Sequence, residues 1–358
     1  MACPTNWSTA KLHNWNTQVP NVMHIDINSA FATIEQQANP LLRGVPLAVA
    51  SNTQGFGCIL AASREAKMWK VRTGMSVQEG KTRCPFLVVH GADPDKYRHI
   101  HQEIRKVLDH YSDQVIPKSI DEFVISFPNS PARTILAGRA REIQQEIRTR
   151  VGDWITVSIG ISTNRLLAKL GSDLKHDEPF IIDNTNYLKV YQDLDVTDLC
   201  GISHQLAKRL RTQGVYNALD FALADINTLR SAFRSKLSRD WYLGLRGWEV
   251  SCHETKPPQS FGQSYVLPHP MKREDWLPIL VKLTHKAARR MRTAGFSSRG
   301  VHLYLRFADR SSWRRGESLA NPLFQDSDLT TLLSSLHSVP TSTNCSPIPL
   351  VLTHYPLR

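Results

Sequence analysis

Between residues 21 and 175 short apolar runs and amphipathic stretches alternate in the order strand, helix, strand, strand, helix, strand, and that order admits few folds. Two strand–helix–strand crossovers of one hand can share a sheet when each crossover leaves a gap for a strand of the other, which is the ferredoxin-like split βαβ arrangement. The run VMHIDI supplies the first strand, and a helix begins near Ser29. Apolar periodicity predicts further helices over 96–112, 132–151 and 164–175, and strands over 114–117, 123–127 and 154–161. A small module interrupts the pattern between residues 32 and about 92. It reads as a strand over 46–50, a turn at Gly55 and Gly57, strand residues 58–60 and a short basic helix over 63–70.

After residue 183 the composition changes. Residues 198–247 read as consecutive short helices, and 252–262 (CHETKPPQSFG) is polar with paired prolines and no apolar period, a linker. Beyond it, a helix over 274–294, a strand over 301–307, a helix over 326–336 and a strand near 350–352 make a small α+β domain. The fold class is therefore α+β and multidomain. Residues 1–20 carry one charge, Lys11, and two tryptophans, and read as an arm without periodicity. No run approaches the roughly 18 apolar residues a membrane span needs, and the six scattered cysteines form no CxxC pair. A soluble cytoplasmic protein with reduced thiols is expected.

Charge points to a partner. The chain carries a net charge of +12, and residues 271–320 hold twelve basic side chains against four acidic ones. One short run of that kind is ordinarily a solvated face, but this one crosses a predicted helix and a predicted strand, as a surface for a phosphate backbone would.

His24, Asp26 and Asn28 alternate to one face of the first strand, and Asp121 with Glu122 sits in a tight turn between IPKSI and EFVISF. In a split sheet those ends can meet. Read singly, an Asp at a strand end is a turn residue and an acidic pair in a hairpin is solvated. Three carboxylates brought together without an obvious basic partner repel by several kcal/mol at short range, and hard divalent cations such as Mg²⁺ relieve that repulsion.

The strings HIDINSAFATIE from His24, SIDEFVIS from Ser119 and VSIGISTNRLLAKLGSDL from Val157 closely resemble, in order and separation, three signature blocks of the Y-family (DinB and UmuC-like) DNA polymerases. The likeness runs from about residue 23 to the end. It implies a ferredoxin-like palm (21–31 and 93–182), inserted fingers (32–92), a helix-hairpin-helix thumb (183–251) and a little finger (263–358) beyond the linker. It implies Asp26, Asp121 and Glu122 as catalytic acids and, with the backbone carbonyl of Ile27, as ligands to two Mg²⁺ ions, for which Mn²⁺ can substitute. Phe31 matches the steric gate against a 2′-hydroxyl; without the motif it reads as a core aromatic.

Arg64 and Lys67 match triphosphate-binding positions of the fingers, although relatives usually carry Tyr and Arg there. The phosphate-binding lysine expected after GSDL falls on His176, with Lys175 one residue earlier. LCGISHQLAKRLRTQGV resembles a helix-hairpin-helix with Gly201 and Ser203 in its turn, Ser203 replacing the usual second glycine. KAARRMRTAGFSSRGVHLYLRF resembles a little-finger block that assigns Arg289, Arg290, Arg299 and Arg306 to the duplex backbone. The implied function is template-directed, low-fidelity translesion synthesis without proofreading. Primer–template DNA, dNTPs and a sliding clamp are the implied partners of a monomer, though no glutamine-led clamp peptide is evident before Arg358. The alternatives are a non-catalytic DNA-binding scaffold, which would be expected to lose catalytic acids, and a nucleotide cyclase, which has no use for the basic C-terminal domain.

Overall fold

The computed structural model describes residues 14–55, 57–128, 133–174, 178–250, 258, 260–265, 267, 273–307, 311–335, 345–346 and 348–353. The chain divides into two units, Met1–Cys252 and His253–Arg358. In the first, β1 (Val22–Ile27) leads into α1 (Ala30–Ala38). Next come β2 (Leu47–Ala50), β3 (Ile59–Ala62), α2 (Arg64–Met68), α3 (Val77–Arg83) and β4 (Val88–Gly91). The chain continues through α4 (Pro94–Asp109), β5 (Val115–Pro117), β6 (Glu122–Ser126), α5 (Arg133–Arg150), β7 (Val157–Ser162), α6 (Arg165–Asp173) and β8 (Phe180–Ile181). Helices α7 (Tyr187–Gln192), α8 (His204–Arg211), α9 (Ala218–Leu223), α10 (Ile226–Phe233) and α11 (Leu237–Gly244) follow.

The main sheet runs β5-β6-β1-β7-β8, with β1 antiparallel to both neighbours, β6 and β7. Its first four strands have the ferredoxin-like order; β8 adds a fifth that periodicity does not reveal, two residues held parallel to β7. Strand β7 starts later than expected, because Trp154 ties down the α1 end instead. Its backbone N–H donates to Gln37 at 2.7 Å and its ring N–H to Gln36 at 3.1 Å.

Alternation along the strands sorts the two faces. Met23, Ile25, Phe123, Ile125, Ile159 and Ile161 point to a core closed by α4 and α5, which bring Ile104, Leu108, Leu136, Ala140 and Ile143. Val22, His24 and Asp26 point the other way. There α6 covers the sheet, with Ala168 packed on Val22 and Val124.

The inserted module carries a sheet of order β3-β2-β4, in which β4 runs parallel to β2 and is a further strand the periodicity leaves out. Leu47, Val49 and Ala61 join the main core, whereas Ala48, Ala50, Ile59 and Ala62 face a second core with Val71, Val77 and Leu87. Helices α7 to α11 surround Tyr191, Leu210, Phe221 and Leu229. The end of the expected arm belongs to this region, since Trp15 packs against it. No helix among the described residues is long and apolar enough to cross a membrane.

The second unit contains β9 (Ser260–Tyr265), α12 (Arg273–Thr293), β10 (Ser298–Phe307), β11 (Ser312–Leu323), α13 (Asp326–Ser335), β12 (Cys345–Ser346) and β13 (Ile348–Thr353). Its sheet runs β11-β10-β13-β9. Three strands depart from expectation, among them the two-residue β12, which pairs with β10. Strand β9 begins inside the expected linker, where its polar residues pair with β13 at a sheet edge; β11 pairs with β10 along the other edge. Neither β9 nor β11 has a fully buried side chain along its length, so neither shows the alternation that a strand with one packed face would carry. Val301, Leu303 and Leu305 meet Trp276, Leu280, Leu283 and Met291 of α12. Arg292 binds Asp326 through both guanidinium nitrogens, at 2.7 and 3.2 Å, fixing the start of α13.

Helix α6 lies against β7 with no room between them. A Cβ on Gly160 would stand 1.9 Å from the Ala168 carbonyl oxygen and 2.3 Å from the Ser172 nitrogen, both backbone atoms. Gly160→Ala should therefore push α6 off the sheet and destabilise the protein by about 3 kcal/mol, the upper end for overpacking. Urea unfolding measures it, and a loss below about 1 kcal/mol would contradict the packing described.

Candidate active site

The acids predicted to converge lie at one end of the main sheet. Asp26 pairs directly with Glu122 across β1 and β6 and with Ser158 across β1 and β7. The β5–β6 turn returns on β1 by a hydrogen bond from the Ile27 N–H to the Asp121 carbonyl, 3.0 Å. The Ile27 side chain is buried in the core, so only its backbone reaches the site.

A basic partner, which spacing does not suggest, is present. Lys169 on α6 donates to Glu122 Oε1 at 2.5 Å and to Asp173 Oδ1 at 3.3 Å. It reaches the sheet end because the tight fit at Gly160 brings α6 close. Burial alone would depress the Lys169 ammonium, but Glu122, Asp173 and Asp26 outweigh it and hold the group well above its usual range. Burial likewise would raise the Glu122 carboxyl; the hydrogen bond and charge of Lys169 reverse this and keep it below the usual carboxylate value.

For Asp26 the relief is only partial. Burial first, and then the Asp121, Glu122 and Asp173 carboxylates, push it up to about 7 against the opposing pull of Lys169. His24, buried on the same face, is lowered to about 4 by burial and by Lys169, and its Nδ1 lies 3.0 Å from Ser172 Oγ.

Among the described residues no three His, Cys, Asp or Glu side chains are drawn into a ready-made metal cage. Two of the acids rest on protein donors instead: Glu122 on Lys169, and Asp121 on the Ser119 hydroxyl. The donor set still suits a hard divalent cation. All its atoms are carboxylate or carbonyl oxygens, and Asp26, raised by burial and then by the neighbouring carboxylates, is a group that the charge of such an ion would favour in its ionised form.

Phe31, in the first turn of α1, is half-buried and lies flat on Tyr97 of α4, ring centres 4.4 Å apart and planes 14° from parallel. One face thus packs on the core, as the bland reading has it. Tyr97 is held in turn: its hydroxyl donates to buried Glu35 at 2.9 Å, and Lys96 closes the other carboxylate oxygen at 2.6 Å. Lys67 of α2 reaches over the β1–α1 turn to the Ser29 hydroxyl, and Ser29 occupies the left-handed region at φ 52°. Arg64 is exposed at the head of α2. Lys175 and His176 lie outside the described residues.

Elsewhere Gly201 takes φ +102° in the turn before α8, and Ser203 caps that helix by accepting the Leu206 N–H at 3.3 Å. The element ahead of the turn is a single 3-10 turn, Val196–Asp198. In the second unit Arg289, Arg299 and Arg306 are exposed, and Arg290 donates to the Gly262 carbonyl of β9. Arg306 projects from the sheet face opposite Leu305, whereas α12, with Arg289 and Arg290, covers the Leu305 face. The four arginines do not form one surface.

Sequence signals for the residues that spacing overlooks do exist. Lys169 and Asp173 stand four apart on one helix, facing the side that Gly160 opens, and Glu35 is four residues from Phe31.

The impB/mucB/samB family model matches residues 25–173, and the impB/mucB/samB family C-terminal domain matches 258–339. DNA polymerase IV of Bacillus velezensis is 30% identical over 315 residues, covering 86% of this chain and 75% of the relative. DNA polymerase IV 1 of Bacillus subtilis is 28% identical over 313 residues, with the same coverage. Among solved structures, a Y-family DNA polymerase chimera of Dbh and Dpo4 superposes with a TM-score of 0.80 at 23% identity, over 93% of this chain and 98% of its own. The insertion ternary complex of Dbh DNA polymerase gives 0.64 at 22% identity, over 94% and 99%.

The raised Asp26 carboxyl makes the site a source of instability with a defined pH window. Between its ordinary value of 3.8 and about 7, the folded protein holds a proton that the unfolded chain releases, so stability falls as pH rises through that interval. Asp26→Asn should stabilise the metal-free protein above about pH 8, by up to about 4 kcal/mol, and the gain should fade as pH falls toward 4. Thermal unfolding across pH measures it; a gain independent of pH would mean that the carboxyl is not perturbed.

Proposed function

The chain belongs to the impB/mucB/samB family and is a translesion DNA polymerase of the Y-family, DNA polymerase IV-like kind; on that premise we propose how its own residues carry nucleotidyl transfer. The observation that supports the reading best is the placing of Asp26 opposite Glu122, with Asp121 beside them, at the open end of the sheet. Asp26, Asp121, Glu122 and the Ile27 carbonyl would hold two Mg²⁺ ions, with Mn²⁺ as substitute. Such ions, when bound, lower the pKa of the primer 3′-hydroxyl and offset charge on the triphosphate during in-line displacement.

Each neighbouring group then has a part. Lys169 and Ser119 hold Glu122 and Asp121 in place while the site is being loaded. Lys67 sits over the β1–α1 turn, where the triphosphate of a dNTP paired with the template would lie, and Arg64 adds a planar donor on the same short helix. Lys175 or His176 would meet the phosphates from beyond α6. Phe31, pinned flat on Tyr97, turns its ring edge to the sugar and excludes a 2′-hydroxyl by bulk.

Primer–template DNA would be gripped by the turn at Gly201 and Ser203 and by the basic second unit. Because Arg289 and Arg290 lie on one side of that unit and Arg306 on the other, one duplex contacts one set directly; Arg306, beside exposed His302 on an uncovered sheet face, is the better placed. The palm, fingers, thumb and little finger keep the boundaries drawn above, with pairing of β9 moving the last linker residues into the little finger. A monomer in the cytoplasm, with a sliding clamp as further partner, completes the reading.

Primer extension on a primed template with Mg²⁺ and four dNTPs tests the proposal. Asp121→Ala should abolish extension while leaving DNA binding near that of the wild type; extension within about tenfold of wild type would remove Asp121 from the chemistry.

Phe31→Ala separates gate from core. As a gate, truncation raises kcat/KM for ribonucleotides sharply and leaves that for dNTPs less affected. As a core aromatic alone, it lowers both in parallel and destabilises by about 3 to 5 kcal/mol. Paired kinetics and a melting curve decide.

A further inference from the structure

The family match begins at residue 25, yet the chain ahead of it is engaged with the helical region. Trp15 stacks on Tyr187 of α7 with ring centres 3.4 Å apart and planes 10° from parallel, and meets Tyr191 edge-on at 6.4 Å. Asn16 is 4% exposed and makes three hydrogen bonds. Its backbone N–H donates to the Arg246 carbonyl at 2.8 Å, its side-chain amide to the Gly247 carbonyl at 3.0 Å, and its side-chain oxygen accepts the Gln18 N–H at 3.0 Å. Trp248 closes the contact by donating its ring N–H to the Asn14 carbonyl.

The turn that receives these bonds, 244–248, is the same one that the catalytic sheet holds from the other side. Thr163 donates to the Gly247 carbonyl at 2.8 Å, so that carbonyl takes two donors. Asn164 donates to the Gly244 and Trp248 carbonyls at 2.7 and 2.9 Å while its side-chain oxygen caps α6, the helix of Lys169. Gly247 has φ +85°, and a Cβ there would lie 2.7 Å from Thr163 Oγ1 and 3.2 Å from the Asn16 Cβ. Three separate stretches, 14–16, 163–164 and 244–248, thus converge where the helical region leaves the catalytic sheet.

We propose that Trp15 and Asn16 are positioning residues: residues 14–18 latch the helical region at a fixed angle to the catalytic sheet and so set its grip on the primer–template. The DNA part rests on the reading of that region as the thumb. Helix α7 already shares a core with Leu167 and Leu170 of α6, and its Tyr191 hydroxyl donates to the Leu245 carbonyl at 2.8 Å; the Trp15 stack and the Asn16 bonds add an attachment from the stretch that leads into β1, on the side those contacts leave open. The chemistry lies with other residues. Loss of the latch should therefore weaken DNA binding and shorten the run of additions per encounter without slowing transfer once DNA is saturating.

The test uses the full chain with Asn16→Ala, Trp15→Ala and Trp15→Phe. Trp15→Phe keeps a ring on Tyr187, and since the Trp15 ring N–H has no partner in the structure it loses no hydrogen bond. Hydrogen exchange is followed at 187–191 and 241–248, together with the Kd for primer–template, the length of extension products under single-encounter conditions, and kcat at saturating DNA. Expected for the two alanine variants are faster exchange in both segments, a Kd raised by about tenfold, shorter products and a kcat within about twofold, with Trp15→Phe close to wild type.

Unchanged exchange in either alanine variant would overturn the latch. Faster exchange with unchanged Kd and product length would overturn its role in holding DNA, and a parallel fall in kcat would show a general loss of folding instead. Extension by the wild type, measured in the same reactions, tests the polymerase reading separately, because the exchange result does not depend on it.

Discussion

Carboxylates gathered in a poorly solvated place repel one another, and the first unit is arranged around that fact. Antiparallel pairing sets Asp26 straight across from Glu122, where backbone geometry leaves no freedom to move them apart. Lys169 is the counter-charge, and it must come from a separate element because both strands are already committed to the sheet. Helix α6 delivers it by lying close enough to β7 that Gly160 and Gly171 nearly touch, a Cβ on Gly171 falling 3.1 Å from the Gly160 Cα. Helix position, glycine placement and site electrostatics are therefore one constraint seen at three levels. The relief is partial, and the remainder sits on Asp26, whose raised pKa marks where positive charge is still wanted.

The sequence carries the sheet and the acids openly because both depend on local regularities. Period-two alternation in VMHIDI and EFVISF specifies which side chains share a face, and the split order specifies which ends meet. Lys169 is harder to see: as one lysine on an amphipathic helix it looks like any solvated cation until the helix is docked, and docking is decided by a glycine on another element. Tyr97 and Glu35 are hidden for a similar reason, since their pairing spans the inserted module. The edge strands β9 and β11 fail to show because neither has a buried side chain to impose a hydrophobic period, and β9 in addition pairs with a strand far along the chain. In the second unit the arginines cluster in sequence yet separate in space, a distinction that requires knowing which sheet face α12 covers.

Stability and chemistry pull in opposite directions at the sheet end, while the surroundings are built for rigidity. Phe31 is fixed from below by Tyr97, whose hydroxyl is fixed by Glu35, whose other oxygen is fixed by Lys96. Such a chain of partnered groups, with Tyr97 and Glu35 buried in its middle, defines one arrangement more sharply than apolar packing alone.

The inserted module shares Leu47, Val49 and Ala61 with the core of the main sheet, while the opposite face of the same strands closes a core of its own. To swing as a lid it would have to draw those residues into water, at about 1.5 to 3 kcal/mol for each of the larger ones. A module bonded in that way resists swinging open. If a nucleotide binds beside this module as proposed, its site would keep its shape before and after binding, and discrimination there would fall to the fit of what enters and not to the closing of anything around it.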